Sequence, residues 1–157
     1  MSVHPKQFRE LIVRPALAEL ARDFKGADSP AAEELMMLTA AQETWLGRWV
    51  KQWPNGPALG VFSMEPATYA WLWGKYGKVV HPTKVYRAPE DMVWDWKLAA
   101  KMARLRYWIV KAALPGADDL QGLAEYWDTH YNGNPTKGFP EEAVRNYRRF
   151  VLEERGL

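Results

Sequence analysis

Apolar residues at helical spacing, cut into blocks by proline and glycine, constrain this chain more than any other feature. Phe8, Leu11, Ile12, Ala16, Leu17 and Leu20 recur at intervals that predict a helix over residues 5–24, with Pro15 expected to kink or divide it. Lys25-Gly26-Ala27-Asp28 reads as a turn. Ser29-Pro30 then opens a second helix: serine is the N-cap, proline the first helical residue, and Glu33 and Glu34 suit the positive end of the helix dipole. Its apolar stripe includes Leu35, Met36 and Leu38, and it runs to Gln42-Glu43-Thr44.

The second half follows the same grammar. Residues 47–60 hold two prolines and several glycines and read as a loop, and residues 66–76 form a short helix. Residues 74–90 read as a loop with a small extended piece around Val79-Val80 and Val85-Tyr86. The longest helical stretch spans 90–111, with Leu98, Met102, Leu105 and Ile109 on one face and Arg104 and Lys111 off it. A further helix starts near Asp118-Asp119, aligns Leu120, Leu123, Ala124, Trp127 and Tyr131, and stops at Asn132-Gly133-Asn134-Pro135. The last begins near Pro140 and buries Ala143, Val144, Tyr147, Phe150 and Val151. The expectation is five to seven helices with irregular loops, little or no sheet, and one domain over residues 1–157.

Composition narrows the function classes. Cysteine is absent, which excludes disulfides and thiolate metal sites, and His4, His81 and His130 show no metal-ligand spacing. No cofactor is expected: the chain has no glycine-rich phosphate loop and no nucleophile elbow. Net charge is only +2, so the basic runs Lys97–Lys111 and Arg145–Arg149 read first as solvated helix faces, and a nucleic-acid partner is not expected. No stretch approaches a membrane span, and the first ten residues lack the apolar core of a signal peptide. A cytoplasmic site of synthesis and a monomer are the expectations. The nine tryptophans admit two readings, a core filled with large rings or a cleft lined with flat faces suited to sugars.

Glu43 is the residue where chemistry could begin. It closes an apolar helix, where the dipole disfavours negative charge, and Trp45 and Phe62 are candidate apolar neighbours. Such a setting favours a carboxyl group that keeps its proton near neutral pH, as a glycosidase acid must.

The run Ala40-Ala41-Gln42-Glu43-Thr44 resembles the Gln-Glu-Ser segment of soluble lytic transglycosylases and goose-type lysozymes. The stretch from Gly56 to Thr68 is similar to their Gly-Ala-x-Gly-Leu-Met-Gln-x-Met-Pro-x-Thr loop, and His130-Tyr131-Asn132-Gly133 to their Ala-Tyr-Asn-Ala-Gly segment. Ser29–Glu33, Met102–Tyr107 and Tyr131–Tyr147 extend the likeness to small phage-encoded transglycosylase-like proteins. The resemblance implies a lysozyme-like helical fold and cleavage of the β-1,4 bond between N-acetylmuramic acid and N-acetylglucosamine, with Glu43 as general acid and base. It implies that Tyr131 points its hydroxyl toward Glu43 and that Phe62 and Met64 floor the sugar subsites; Asn132 either binds an acetamido group or caps the helix. The expected partner is the peptidoglycan glycan strand, reached after holin-dependent release or as a virion component.

Two departures bear on the reaction. Ser63 stands where the family has glutamine, and Glu65 where it has methionine. Glu65, Asp91, Asp95 and Asp128 are the candidates for a second carboxylate that would turn anhydro-ring formation into hydrolysis, although Glu65 reads first as the residue that opens the helix at Pro66. A non-catalytic virion or wall-binding protein that retains the cleft is the alternative reading.

Overall fold

The computed structural model describes residues 3–81, 83, 85–133 and 139–153. It is predominantly α-helical, and two isolated antiparallel bridges, Lys51 with Leu59 and Leu59 with Met64, are the extended pairing among the described residues. The helices are α1 (Pro5–Phe8), α2 (Arg14–Ala21), α3 (Pro30–Thr44), α4 (Pro66–Val80), α5 (Trp96–Trp108), α6 (Leu120–His130) and α7 (Pro140–Tyr147).

Pro15 acts without breaking the chain's course. A π-helical segment, Arg9–Val13, joins α1 to α2 just ahead of it. Proline has no N–H to donate and its ring crowds the carbonyl four residues back, and the wider π spacing relieves both. A second π-helical segment, Arg148–Leu152, extends α7.

Helix α3 is the centre of the packing. Ser29 Oγ accepts from Ala32 N at 3.1 Å and caps it as expected. Every residue from Leu35 to Ala41 is fully buried, so the expected stripe is an apolar surface on all sides, in contact with α5, α6 and α7. The polar member of this run, Thr39, is satisfied: its hydroxyl donates to Leu35 O at 2.7 Å and meets the buried Tyr107 hydroxyl at 2.8 Å.

Two regions depart from the sequence expectation. Helix α4 continues through residues 74–80, which the glycines mark as a loop. Gly77 is needed there because a Cβ would stand 2.6 Å from the Trp73 indole. The stretch 90–111 is two elements: a 3-10 turn at Pro89–Val93, then α5, capped by Asp95 Oδ1 accepting from Leu98 N at 3.0 Å. The basic residues of α5 are also not a solvated face. Lys101 is buried and, with Lys97, pairs with Glu19, while buried Arg104 donates from Nε to Ala27 O at 2.9 Å and lies over the Trp108 ring. Ile109, expected on the apolar face, is 39% exposed. Of the expected stop at Asn132-Gly133-Asn134-Pro135, the last two residues lie outside the described residues.

The loop between α3 and α4 folds into a tight turn. Leu59 and Met64 exchange backbone hydrogen bonds at 2.9 and 3.1 Å, with Gly60 at φ +77 and Ser63 at φ 45 inside it. Gly60 packs so closely on the 3-10 turn that a Cβ would stand 2.8 Å from Met92 O. We expect Gly60→Ala to cost about 3 kcal/mol, combining left-handed strain with a backbone clash. Gly26→Ala, at φ +89 in open space, should cost only about 1 kcal/mol, the strain alone. Urea denaturation of both variants checks the ordering.

Candidate functional site

The chain leaves α3 through a left-handed run. Trp45 (φ 52), Leu46 (φ 57) and Gly47 (φ 78) turn it sharply, and the N–H groups of Trp45 and Leu46 close on Ala41 O and Ala40 O. Two bulky residues in this region are strained. Leu46 is fully buried and Trp45 stacks on Phe150 with centroids 5.5 Å apart, which holds the turn. Thr44 fastens this turn to the next loop. Its hydroxyl donates to Val61 O at 2.8 Å and accepts from Gly47 N at 3.0 Å. Serine would supply the same hydroxyl.

This arrangement leaves Glu43 at the wall of a cleft of about 620 Å³, a volume in the range of ligand sites. Trp49, Trp53 and Ala58 line one side, Ser63, Glu65 and Thr68 another, and Arg106, Tyr131, Asn132 and Gly133 the rest. The aromatic question therefore has a divided answer. Trp49 and the 75%-exposed Trp53 face the cleft, whereas Trp73, Trp96 and Trp108 pack against the core.

Trp127, one turn before Tyr131 on α6, supplies the direct partner of Glu43. Its indole Nε1 donates to Glu43 Oε1 at 2.9 Å. The expected partner, Tyr131, has its hydroxyl turned to Phe62 O at 2.6 Å, and its ring stacks on Tyr107 with centroids 5.0 Å apart. Tyr131 thus joins α6 to the 59–64 turn. Phe62 and Met64 do not floor the cleft: both are buried, and Phe62 packs on Phe8. Ser63, at φ 45, lines the cleft, while its neighbours Phe62 and Met64 are buried in the core. Asn132 lines the cleft and donates from Nδ2 to Asp128 Oδ1 at 3.0 Å.

Burial pushes the Glu43 carboxyl up to about 7, against opposing pulls from the Trp127 N–H and the Arg106 charge. Desolvation is the largest influence and wins because one neutral donor and one cation that is not in contact replace a full hydration shell. Near neutral pH the group is divided between its two forms, and can both give and take a proton. Among the other carboxylates, Glu65 shares the cleft. Asp91 and Asp95 are held by Arg87 at 2.8 and 3.2 Å, and Asp128 is engaged by Asn132.

Trp127, Trp49, Trp53 and Arg106 were not singled out as site residues by the sequence. Trp127 and Arg106 carried signals, an aromatic in register with Tyr131 and a cation in a basic run, but only the packing of α5 and α6 around the end of α3 gives them a target. Among the described residues, no group of three or more histidine, aspartate or glutamate side chains is placed to hold a metal, and no helix is long and apolar enough to cross a membrane. No known protein family, curated protein or solved structure matches the chain.

The raised pKa links Glu43 to stability. The folded form holds its proton up to about pH 7, and the unfolded form releases it near pH 4–5, so stability from this group is complete below that range and is lost as pH rises through 7. Glu43→Gln removes the cost of burying the charge and keeps an acceptor for Trp127. We expect the variant to match the wild type at pH 4 and to be more stable at pH 8, by at most about 3 kcal/mol. Equal melting temperatures at pH 8 would show that the buried charge costs nothing.

Proposed function

We propose that this chain is a lysozyme-like glycosidase that cleaves the β-1,4 bond between N-acetylmuramic acid and N-acetylglucosamine in peptidoglycan. The observation that carries the reading is Glu43: a carboxyl group at the wall of a sugar-sized cleft, held by one neutral donor and raised by burial to about 7. The ordered likeness of residues 40–44, 56–68 and 130–133 to lytic transglycosylases and goose-type lysozymes supports it from the sequence side. A phage-type protein acting on the wall after release, or as part of a virion, is the context this likeness implies.

In the mechanism, Trp127 holds one oxygen of Glu43 and leaves the other to protonate the bridging oxygen of the scissile bond. The carboxylate so formed takes the proton of the muramyl C6 hydroxyl as that oxygen closes a 1,6-anhydro ring. The bond lost is the glycosidic C1–O bond, the bond gained is C1–O6, and Glu43 ends protonated as it began. A hydrolytic course needs a second carboxylate to activate water, and Glu65 is the candidate that shares the cleft. Trp49 and Trp53 offer flat faces for the axial C–H groups of neighbouring sugars.

A second reading, a wall-binding protein without catalysis, is favoured by one feature. Ser63 is shorter than the family's glutamine and reaches less far into the cleft. Incubation with purified peptidoglycan separates the two. We expect soluble fragments from the wild type and a loss of about a hundredfold or more in Glu43→Gln. A wild type that binds peptidoglycan but releases nothing establishes the second reading. Fragments lighter by one water than ordinary reducing sugars mark ring closure, fragments of full mass mark hydrolysis, and loss of the latter in Glu65→Gln assigns the base role to Glu65.

The cleavage rate should fall as pH rises through about 7, where Glu43 loses the proton it must donate. In Trp127→Phe the carboxylate loses its donor, so this alkaline limb should move to higher pH while the maximum rate drops. A limb that stays in place would show that another group governs it.

A further inference from the structure

Arg106 stands apart from the other buried or half-buried cations. Arg9 and Arg87 are ion-paired to carboxylates, Lys97 and Lys101 share Glu19, and Arg104 is used by Ala27 O and the Trp108 ring. Among the described residues no carboxylate lies within ion-pair distance of Arg106. Its Nη2 donates to Tyr131 O at 2.8 Å, its Nη1 makes only a long contact of 3.4 Å with Thr68 Oγ1, and its guanidinium lies over the Tyr131 ring at 4.8 Å. The group is therefore fixed in direction by one strong bond and one aromatic face, and most of its five donors remain for something else.

Its position shows where that something would come from. Arg106 and Thr68 line both the cleft that holds Glu43 and an adjoining cavity of about 420 Å³. The second cavity is walled by Trp71, Leu72, Ile109 and Val110, with His130 at its side. A polymer lying in the first cleft could pass a substituent across Arg106 into the second.

We propose that Arg106 is a specificity residue that binds a carboxylate on a substituent branching from the glycan, at the fork between the two cavities. This rests on the reading of the cleft as a peptidoglycan site. A guanidinium meets a carboxylate through two parallel N–H···O bonds, a geometry that a neutral sugar hydroxyl cannot reproduce. The cleft accordingly distinguishes acidic glycans from neutral ones of the same backbone. Peptidoglycan offers the carboxylate in two places, on the lactyl ether of the muramyl unit when the peptide is absent and on the stem peptide when it is present.

Binding to the Glu43→Gln protein tests this without turnover. The ligands for isothermal titration are a stem-free glycan hexamer of alternating N-acetylglucosamine and N-acetylmuramic acid, the same hexamer with its lactyl carboxyls reduced to alcohols, and the peptide-bearing hexamer. We expect reduction to weaken binding by about tenfold or more. A second substitution, Arg106→Gln, should erase the difference between acidic and reduced hexamers, while Arg106→Lys, which keeps charge without the fork, should retain only part of it. Tighter binding of the stem-free hexamer assigns the lactyl carboxylate, and tighter binding of the peptide-bearing one assigns the stem. Equal affinity for acidic and reduced stem-free hexamers, with no gain for the peptide-bearing one, overturns the role of Arg106 and leaves the glycan site standing, and this comparison does not depend on the Arg106 variants folding. Binding of none of the three overturns both.

Discussion

Helix α3 has no exposed surface from Leu35 to Ala41, and the other elements are arranged around that fact. A helix apolar on every side must be wrapped, and α5, α6 and α7 wrap it. Its two ends are where polar chemistry can resume. At the first, Ser29 caps the helix, and Glu33 and Glu34 reach Arg9 and Arg14. At the second, Glu43 emerges among Trp127, Tyr131 and the 59–64 turn. A carboxyl group placed there is desolvated by the same packing that holds the core together, so its raised affinity for a proton is a consequence of the fold.

The charges divide in the same way. Most cations near the core have a structural task, which is why a net charge of +2 conceals strongly local fields. Glu19 neutralises two lysines of α5, Arg87 draws Asp91 and Asp95 together, and Arg104 ties α5 to the turn at Ala27. Among the described residues Arg106 has no such partner, and it faces the cleft. The result is a buried carboxyl group and a guanidinium in a common cavity without direct contact, the cation opposing the upward push that burial gives Glu43.

Where caps and periodicity acted locally, the sequence was a good guide. Ser29 and Asp119 cap their helices with their own side chains, and the expected starts of α3, α4, α6 and α7 stand where local chemistry put them. Pro15 altered helix spacing instead of ending the helix, because a π segment absorbed its missing donor. Gly74 and Gly77 were misleading for a different reason. Gly77 is a packing glycine under the Trp73 ring, and nothing in the local sequence separates that role from a helix stop. Lys101 and Arg104 were misleading as well, since a buried cation and a solvated one look identical until the partner is known.

The sequence by itself determined a chain of helices with irregular loops and placed Glu43 at the end of an apolar one, because capping and 3.6-residue periodicity act over a few neighbours. Ser63, Tyr131 and Asn132, named only through a family resemblance, line the cleft. Tertiary structure decided what those residues do. It turned Phe62 and Met64 inward, directed the Tyr131 hydroxyl to a backbone carbonyl, and gave the contact with Glu43 to Trp127, 84 positions away. It also set the proton affinity of that acid. Desolvation depends on what surrounds a group from every side, and those surroundings come from segments that share no local signal.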